Sequence, residues 1–264
     1  MGGGIFAEVN RKWLTLAAVS VGLFMIMLDN TVVNVALPSI QRELESDLSE
    51  LEWIVTGYAL TFASLMLVCG KVADAYGRRR IFVLGIVVFT LASLLCGLAT
   101  SSEMLIGARV LQGAGAALMN PATLSIIAAT FPPRQRGTAI GIWAGTSALA
   151  LAIGPLVGGL ITQHVDWSWI FFVNVPVGVL GIVASFLFID ESRDETHASL
   201  DIPGLATSAV GLFALTYGLI EANTYGWTSA RIVGAFVVSA VSLASFVVIE
   251  RRRREAMLPL ELFR

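Results

Sequence analysis

Apolar residues along this chain run in blocks of roughly twenty, separated by short polar breaks. An α-helix rising ~1.5 Å per residue needs about that many to cross a ~30 Å hydrocarbon core. The pattern predicts eight spans, at 13–36, 52–70, 81–99, 104–128, 138–162, 169–189, 203–222 and 229–249. The runs lack the strict alternation of a barrel strand. Helices also satisfy every backbone group internally, as lipid requires.

Composition agrees with that pattern. Of the 264 residues 56% are hydrophobic and only 14% charged, with a mean hydropathy of +0.80. Soluble domains carry about 25% charged residues. The chain reads as an all-α membrane protein crossing the bilayer many times. With no soluble domain predicted, an enzyme has little to stand on, and nothing suggests a nucleic-acid partner. The first span is too long for a signal h-region and lacks a cleavage site, so it is expected to stay.

Cys69 and Cys96 fall within apolar runs and read as small buried hydrophobes rather than a disulfide. His164 and His197 lie far apart in loops, so no metal site is expected. No phosphate-binding loop precedes Gly70-Lys71, and "GAGAAL" at 113–118 is mid-membrane, so neither motif indicates nucleotide binding.

Charge sets an orientation. Of the seventeen Lys and Arg, Arg42 and Arg231 fall on one side of the alternating loops and Arg109 within a span. The other fourteen fall on the opposite side, a strong positive-inside bias that places both ends in the cytoplasm. Trp53, Trp167, Trp169 and Trp227 then lie near outer helix ends and Trp13 near an inner one, as interfacial belts would have it.

Charge is also gathered between spans two and three, in "GKVADAYGRRRIF". Arginines at an inner helix end can simply anchor it to anionic headgroups. That does not explain Asp74 or the flanking Gly70 and Gly77. Glycine permits a tight turn, and a carboxylate can pair with a nearby arginine or bind a helix N-terminus.

Gly70, Asp74, Gly77, Arg78, Arg79 and Arg80 together resemble the signature loop of the major facilitator superfamily, on the expected side and at the expected place. The resemblance implies a latch that favours one facing state. "LDNTVVNVALPSI" in span one resembles the first-helix motif of the fourteen-helix drug:proton antiporters. Arg109, Gln112 and Gly113 match the fourth-helix motif. Gly145, Gly154, Pro155, Gly158 and Gly159 match the fifth-helix antiporter motif. "WSWIFFVNVPVG" opens span six as in the same group.

The resemblance implies a cytoplasmic N-terminus at 1–12, a six-helix bundle at 13–189 and a cytoplasmic linker at 190–202. An added helix pair at 203–249 and a tail at 250–264 follow. No second bundle follows the pair, so an N-terminal portion is expected, with a missing C-terminal half as its partner. A natural eight-helix protein is the other reading. The function implied is export of a small amphipathic or cationic drug-like substrate against protons across the inner membrane, with no cofactor beyond the proton gradient. A facilitator for another solute, such as a metabolite or a self-made antibiotic, and a non-transporting membrane subunit stay open.

Asp29 is the only acid deep within the first six spans. An intramembrane carboxylate costs at least ~2.5 kcal/mol on insertion scales unless it is neutralised or paired. It lies about 12 Å below the outer end of its span, and Arg109 about 9 Å below the outer surface. Similar depth suggests a pair facing a central cavity. The pair reads either as a proton switch or as a static tie between helices one and four.

Asn30, Thr31, Asn34, Gln112 and Asn120 add hydrogen-bonding groups, as cavity lining or as interhelical glue worth about 0.6 kcal/mol each. Phe24, Met25, Met119 and Trp143 are candidates for an apolar lining or for packing. Gly141/Gly145 and Gly154/Gly158 are small-x3-small pairs that let helices approach. Pro155 removes a backbone donor and is expected to kink span five.

Overall fold

Each polar break between apolar runs becomes a helix end. The computed structural model describes residues 2–193 and 202–252. Among them are nine α-helices: α1 Gly2–Leu44, α2 Leu48–Tyr76, α3 Arg78–Gly97, α4 Ser102–Thr130, α5 Pro133–His164, α6 Trp169–Phe172, α7 Asn174–Phe188, α8 Ile202–Tyr225 and α9 Ala230–Arg252. With α6 and α7 counted as one crossing, eight helical segments are long and apolar enough to span a membrane. The fold is that of an all-α membrane protein. The expected linker and tail fall largely on 194–201 and 253–264, outside the described residues.

Local chemistry sets the helix starts. Asp47 accepts from the Glu50 N–H at 2.8 Å while the Glu50 carboxylate accepts from the Asp47 N–H at 2.9 Å. This reciprocal box satisfies two N–H groups that the first turn of α2 leaves free. The Ser101 hydroxyl accepts from the Met104 N–H at the start of α4. α5 opens on Pro133, where a missing N–H costs nothing. That helix is continuous through Pro155.

Helix α4 packs against α2 and α3, α1 against α5 and α7, and α3 against α7. Two apolar clusters form inside. One gathers Leu16, Phe82, Phe89, Met119, Phe131 and Ile189; the other gathers Val33, Ile54, Leu105, Trp167 and Phe171. The first lies toward the end where Arg11 meets Asp190 and Lys12 meets Gln135. Helices α8 and α9 pack on each other, and α8 lies against α2.

Three expectations are corrected. The charged stretch is not a loop: α2 runs through Lys71 and Asp74 to Tyr76, and α3 starts at Arg78, leaving only Gly77 outside a helix. Trp167 lies at the helix ends but does not face outward. It is 2% exposed and donates its indole N–H to Glu43 at 2.8 Å, so it seals the interior. Of the small-residue pairs only one brings helices together. A Cβ on Gly154 would overlap Thr31, and one on Gly158 would lie 3.2 Å from Val32, whereas Gly141 and Gly145, like Gly159, face open space.

Candidate functional site

Between the two apolar clusters lies a polar layer, to which α1, α2, α3, α4 and α7 contribute. Asp29 of α1 stands at its centre. The Arg109 guanidinium donates to one carboxylate oxygen at 2.5 Å. Gln112 donates to the other at 2.8 Å, and Asn174 donates to that same oxygen at 3.4 Å. Both side chains of the ion pair are 1% exposed.

Arg109 is held from several directions. Its Nε–H donates to the Ile54 carbonyl at 3.1 Å and its Nη1 to Gln112 Oε1 at 2.7 Å. Its guanidinium carbon sits 4.2 Å from the centroid of the Tyr58 ring, a cation–π contact that is strongest when water is excluded. Ser93 of α3 accepts from both Gln112 and Asn174, at 2.8 and 3.3 Å. A buried charge pair is tolerated only when its remaining donors and acceptors are met. Here they largely are.

The depth match therefore becomes a contact, but its setting differs from expectation. Asp29, Arg109 and Gln112 do not line an open cavity; all three are buried within the chain. Helix azimuth decides this, and axial depth carries no information about it. Asn30, the next residue, is half-buried and donates to the Ile26 carbonyl at 2.9 Å and to the Tyr58 hydroxyl at 3.5 Å. Thr31 turns back onto its own helix, donating to the Leu28 carbonyl. Asn34 is exposed and Asn120 half-buried, so these two reach a surface. Met25 and Met119 are fully buried packing residues. Trp143 donates to Thr123 at 3.1 Å, and Phe24 lines an apolar cleft of about 460 Å³ with Trp13, Ser20 and Val177.

At the charged break, Asp74 accepts from Arg78 at 2.8 Å, one helical turn away across Gly77. Gly77 has φ +114°, and a Cβ there would sit 2.7 Å from a Glu191 oxygen. Glu191, just after α7, accepts from the Arg79 N–H at 3.1 Å and lies 3.6 Å from Arg80 Nε. Arg79 also donates to the Ile189 carbonyl, and the Arg78 N–H to the Ser192 carbonyl. Gly70 packs on Pro121 of α4. The charged break is thus docked onto the end of span six.

Sequence reasoning missed Ser93, Asn174 and Glu191. Asn174 was visible as the one amide of span six, and Glu191 as an acid following that span among arginine-rich ends. Ser93 gave no signal, because serine between membrane helices usually bonds its own backbone. Among the described residues no three His, Cys, Asp or Glu side chains gather as metal ligands.

Residues 19–257 match the family model of the Major Facilitator Superfamily. The chain is 39% identical over 255 residues to the tetracenomycin C resistance and export protein of Streptomyces glaucescens, covering 96% of this chain and 47% of that protein. It is 40% identical to the puromycin resistance protein pur8 of Streptomyces alboniger, over 94% of this chain and 50% of that one. It is also 40% identical to the multidrug resistance protein Stp of Mycobacterium tuberculosis, over 97% and 48%. The chain spans about half the length of the curated relatives it matches. In structure it is similar to an inward-facing, unoccupied bacterial homologue of the human lysosomal transporter Spinster, with a TM-score of 0.55 and 20% identity over 90% of this chain and 60% of that one. That likeness concerns the fold.

Proposed function

The chain belongs to the Major Facilitator Superfamily, and from that premise we propose that it forms the N-terminal half of a proton-coupled exporter of the fourteen-helix kind. Helices α1–α7 supply one six-helix bundle and α8–α9 the added pair. The other bundle completes the cavity, and the two halves rock about it. The positive-inside bias supports an orientation in the plasma membrane with both ends of the chain on the cytoplasmic side.

The observation that carries the reading is the buried Asp29–Arg109 pair. Proton binding at Asp29 removes the charge that Arg109 compensates. The guanidinium then keeps Ile54, Gln112 and the Tyr58 ring as neutral partners, on α2 and on its own helix. The strongest tie between α1 and α4 is lost, and that difference biases the two facing states. Asn34 and Asn120 contribute hydrogen bonds to the cavity, and the docked break at Gly77 holds the cytoplasmic gate.

The substrate proposed is a small amphipathic or cationic drug-like compound. The names of the two Streptomyces relatives, a resistance and export protein and a resistance protein, favour a second reading, export of an antibiotic.

The test uses the gene at its full genomic length in cells lacking their own drug exporters. Inverted vesicles should move a cationic dye on a proton gradient, stop with an uncoupler, and lose transport in Asp29→Asn while Asp29→Glu retains part of it. Dye movement indifferent to the uncoupler would overturn the coupling.

A further inference from the structure

The added helix pair carries an ionisable group that the central mechanism does not use. Glu221 of α8 is 5% exposed and forms no ion pair or hydrogen bond among the described residues. It lies four residues before the end of α8, about 6 Å along the axis, within a segment apolar enough to span a membrane. A carboxylate there is costly unless something compensates it.

Its neighbours at helical spacing are aromatic. Tyr217, Glu221 and Tyr225 follow at i, i+4 and i+8, so they share one face of α8. The Arg231 guanidinium, from the start of α9, sits 4.2 Å from the Tyr225 ring centroid and 5.7 Å from that of Tyr217. Trp53 of α2 and Phe213 each lie 6.4 Å from the Tyr217 ring. The Tyr217 hydroxyl is buried with no hydrogen-bond partner. The cluster thus combines ring faces that attract cations, a carboxylate without a donor among the described residues, and an unused hydroxyl. Arg231 is itself exposed.

We propose that Tyr217, Glu221 and Tyr225, walled by Trp53 and Phe213, bind an organic monocation of the quaternary ammonium or phosphonium class in the place Arg231 takes here. Ring faces around such a cation are a recognition mode suited to charge that cannot donate hydrogen bonds, and Glu221 supplies the counter-charge. The site shares no residue with the Asp29 centre. It adjoins it through α2, whose Ile54 carbonyl accepts from Arg109 one residue beyond Trp53.

Binding of radiolabelled tetraphenylphosphonium to the chain in phosphatidylglycerol nanodiscs, corrected for empty discs, tests the proposal. Glu221→Gln should weaken binding about tenfold and Tyr225→Leu several-fold, while Arg231→Ala should tighten it about threefold because a competing cation is gone. A merely structural Arg231 would have the opposite sign, since its loss loosens the cluster. Unchanged or weaker binding in Arg231→Ala overturns the proposal, even if Glu221→Gln fails to fold. Soluble phosphocholine separates two sources of the cation. Displacement supports a site that also takes lipid headgroup cations, and its absence supports a site for free aromatic cations. Failure here leaves the reading of Asp29 untouched.

Discussion

Replacing Asp29 by asparagine tests whether the polar layer is a charge pair or a set of neutral hydrogen bonds. The amide nearly matches the carboxylate in size, so packing is preserved and only charge and donor pattern change. One carboxylate oxygen accepts from Arg109, the other from Gln112 and Asn174. Whichever way the introduced amide turns, its NH2 group faces a donor. With its oxygen toward Arg109, the NH2 meets Gln112 and Asn174; reversed, it meets the guanidinium. Arg109 meanwhile stays buried and charged. Removing one partner of such a pair costs about 3–5 kcal/mol. Arg109→Gln should cost a similar amount, leaving Asp29 without its cation. In the double variant both charges are gone, and its cost should fall short of the sum of the singles by at least about 2 kcal/mol. Reversible unfolding in mixed micelles, followed by tryptophan fluorescence, measures all three. Single costs under about 1 kcal/mol, or a double variant that is simply additive, would refute the argument.

Gly77→Ala should destabilise the chain by about 1–3 kcal/mol, because φ +114° is strained for alanine and its Cβ meets Glu191; the same unfolding assay reads it. Asp74→Asn should shift the balance of inward- and outward-facing states, and Glu191→Gln should act in the same direction by freeing Arg79 and Arg80. Reactivity of single cysteines placed at either end of the bundle reports the shift, and identical patterns would show that the contacts do not gate. Gly158→Leu should separate α5 from α1 and lower stability by more than about 2 kcal/mol, whereas Gly145→Leu, on an open face, should change it by under about 0.5 kcal/mol. Finally, the 264-residue chain reconstituted alone should move no drug on an imposed proton gradient, since the mechanism proposed needs a second bundle to rock against. Gradient-driven uptake lost in Asp29→Asn would mean a working homodimer.

The sequence by itself determined the number of crossings, because lipid demands about twenty apolar residues per helix and the polar breaks are short. It marked Asp29 and Arg109 as the charges that hydrocarbon cannot hold singly, and the fixed rise of a helix put them at one depth. It marked Gly77 as a residue that permits a tight turn, but not that helices run up to it on both sides. What it did not carry is azimuth. A helix apolar on every side has no face that its pattern marks as buried, so which way Asp29, Arg109 and Gln112 point was decided only by packing. The same holds for the other differences. Gly154 and Gly158 meet α1 while Gly141 and Gly145 meet nothing, although their spacing is identical. Trp167 turns inward to Glu43, while Trp169, two residues on, stays exposed. Ser93, Asn174 and Glu191 matter through partners distant along the chain, and distant partners exist only once the helices have packed.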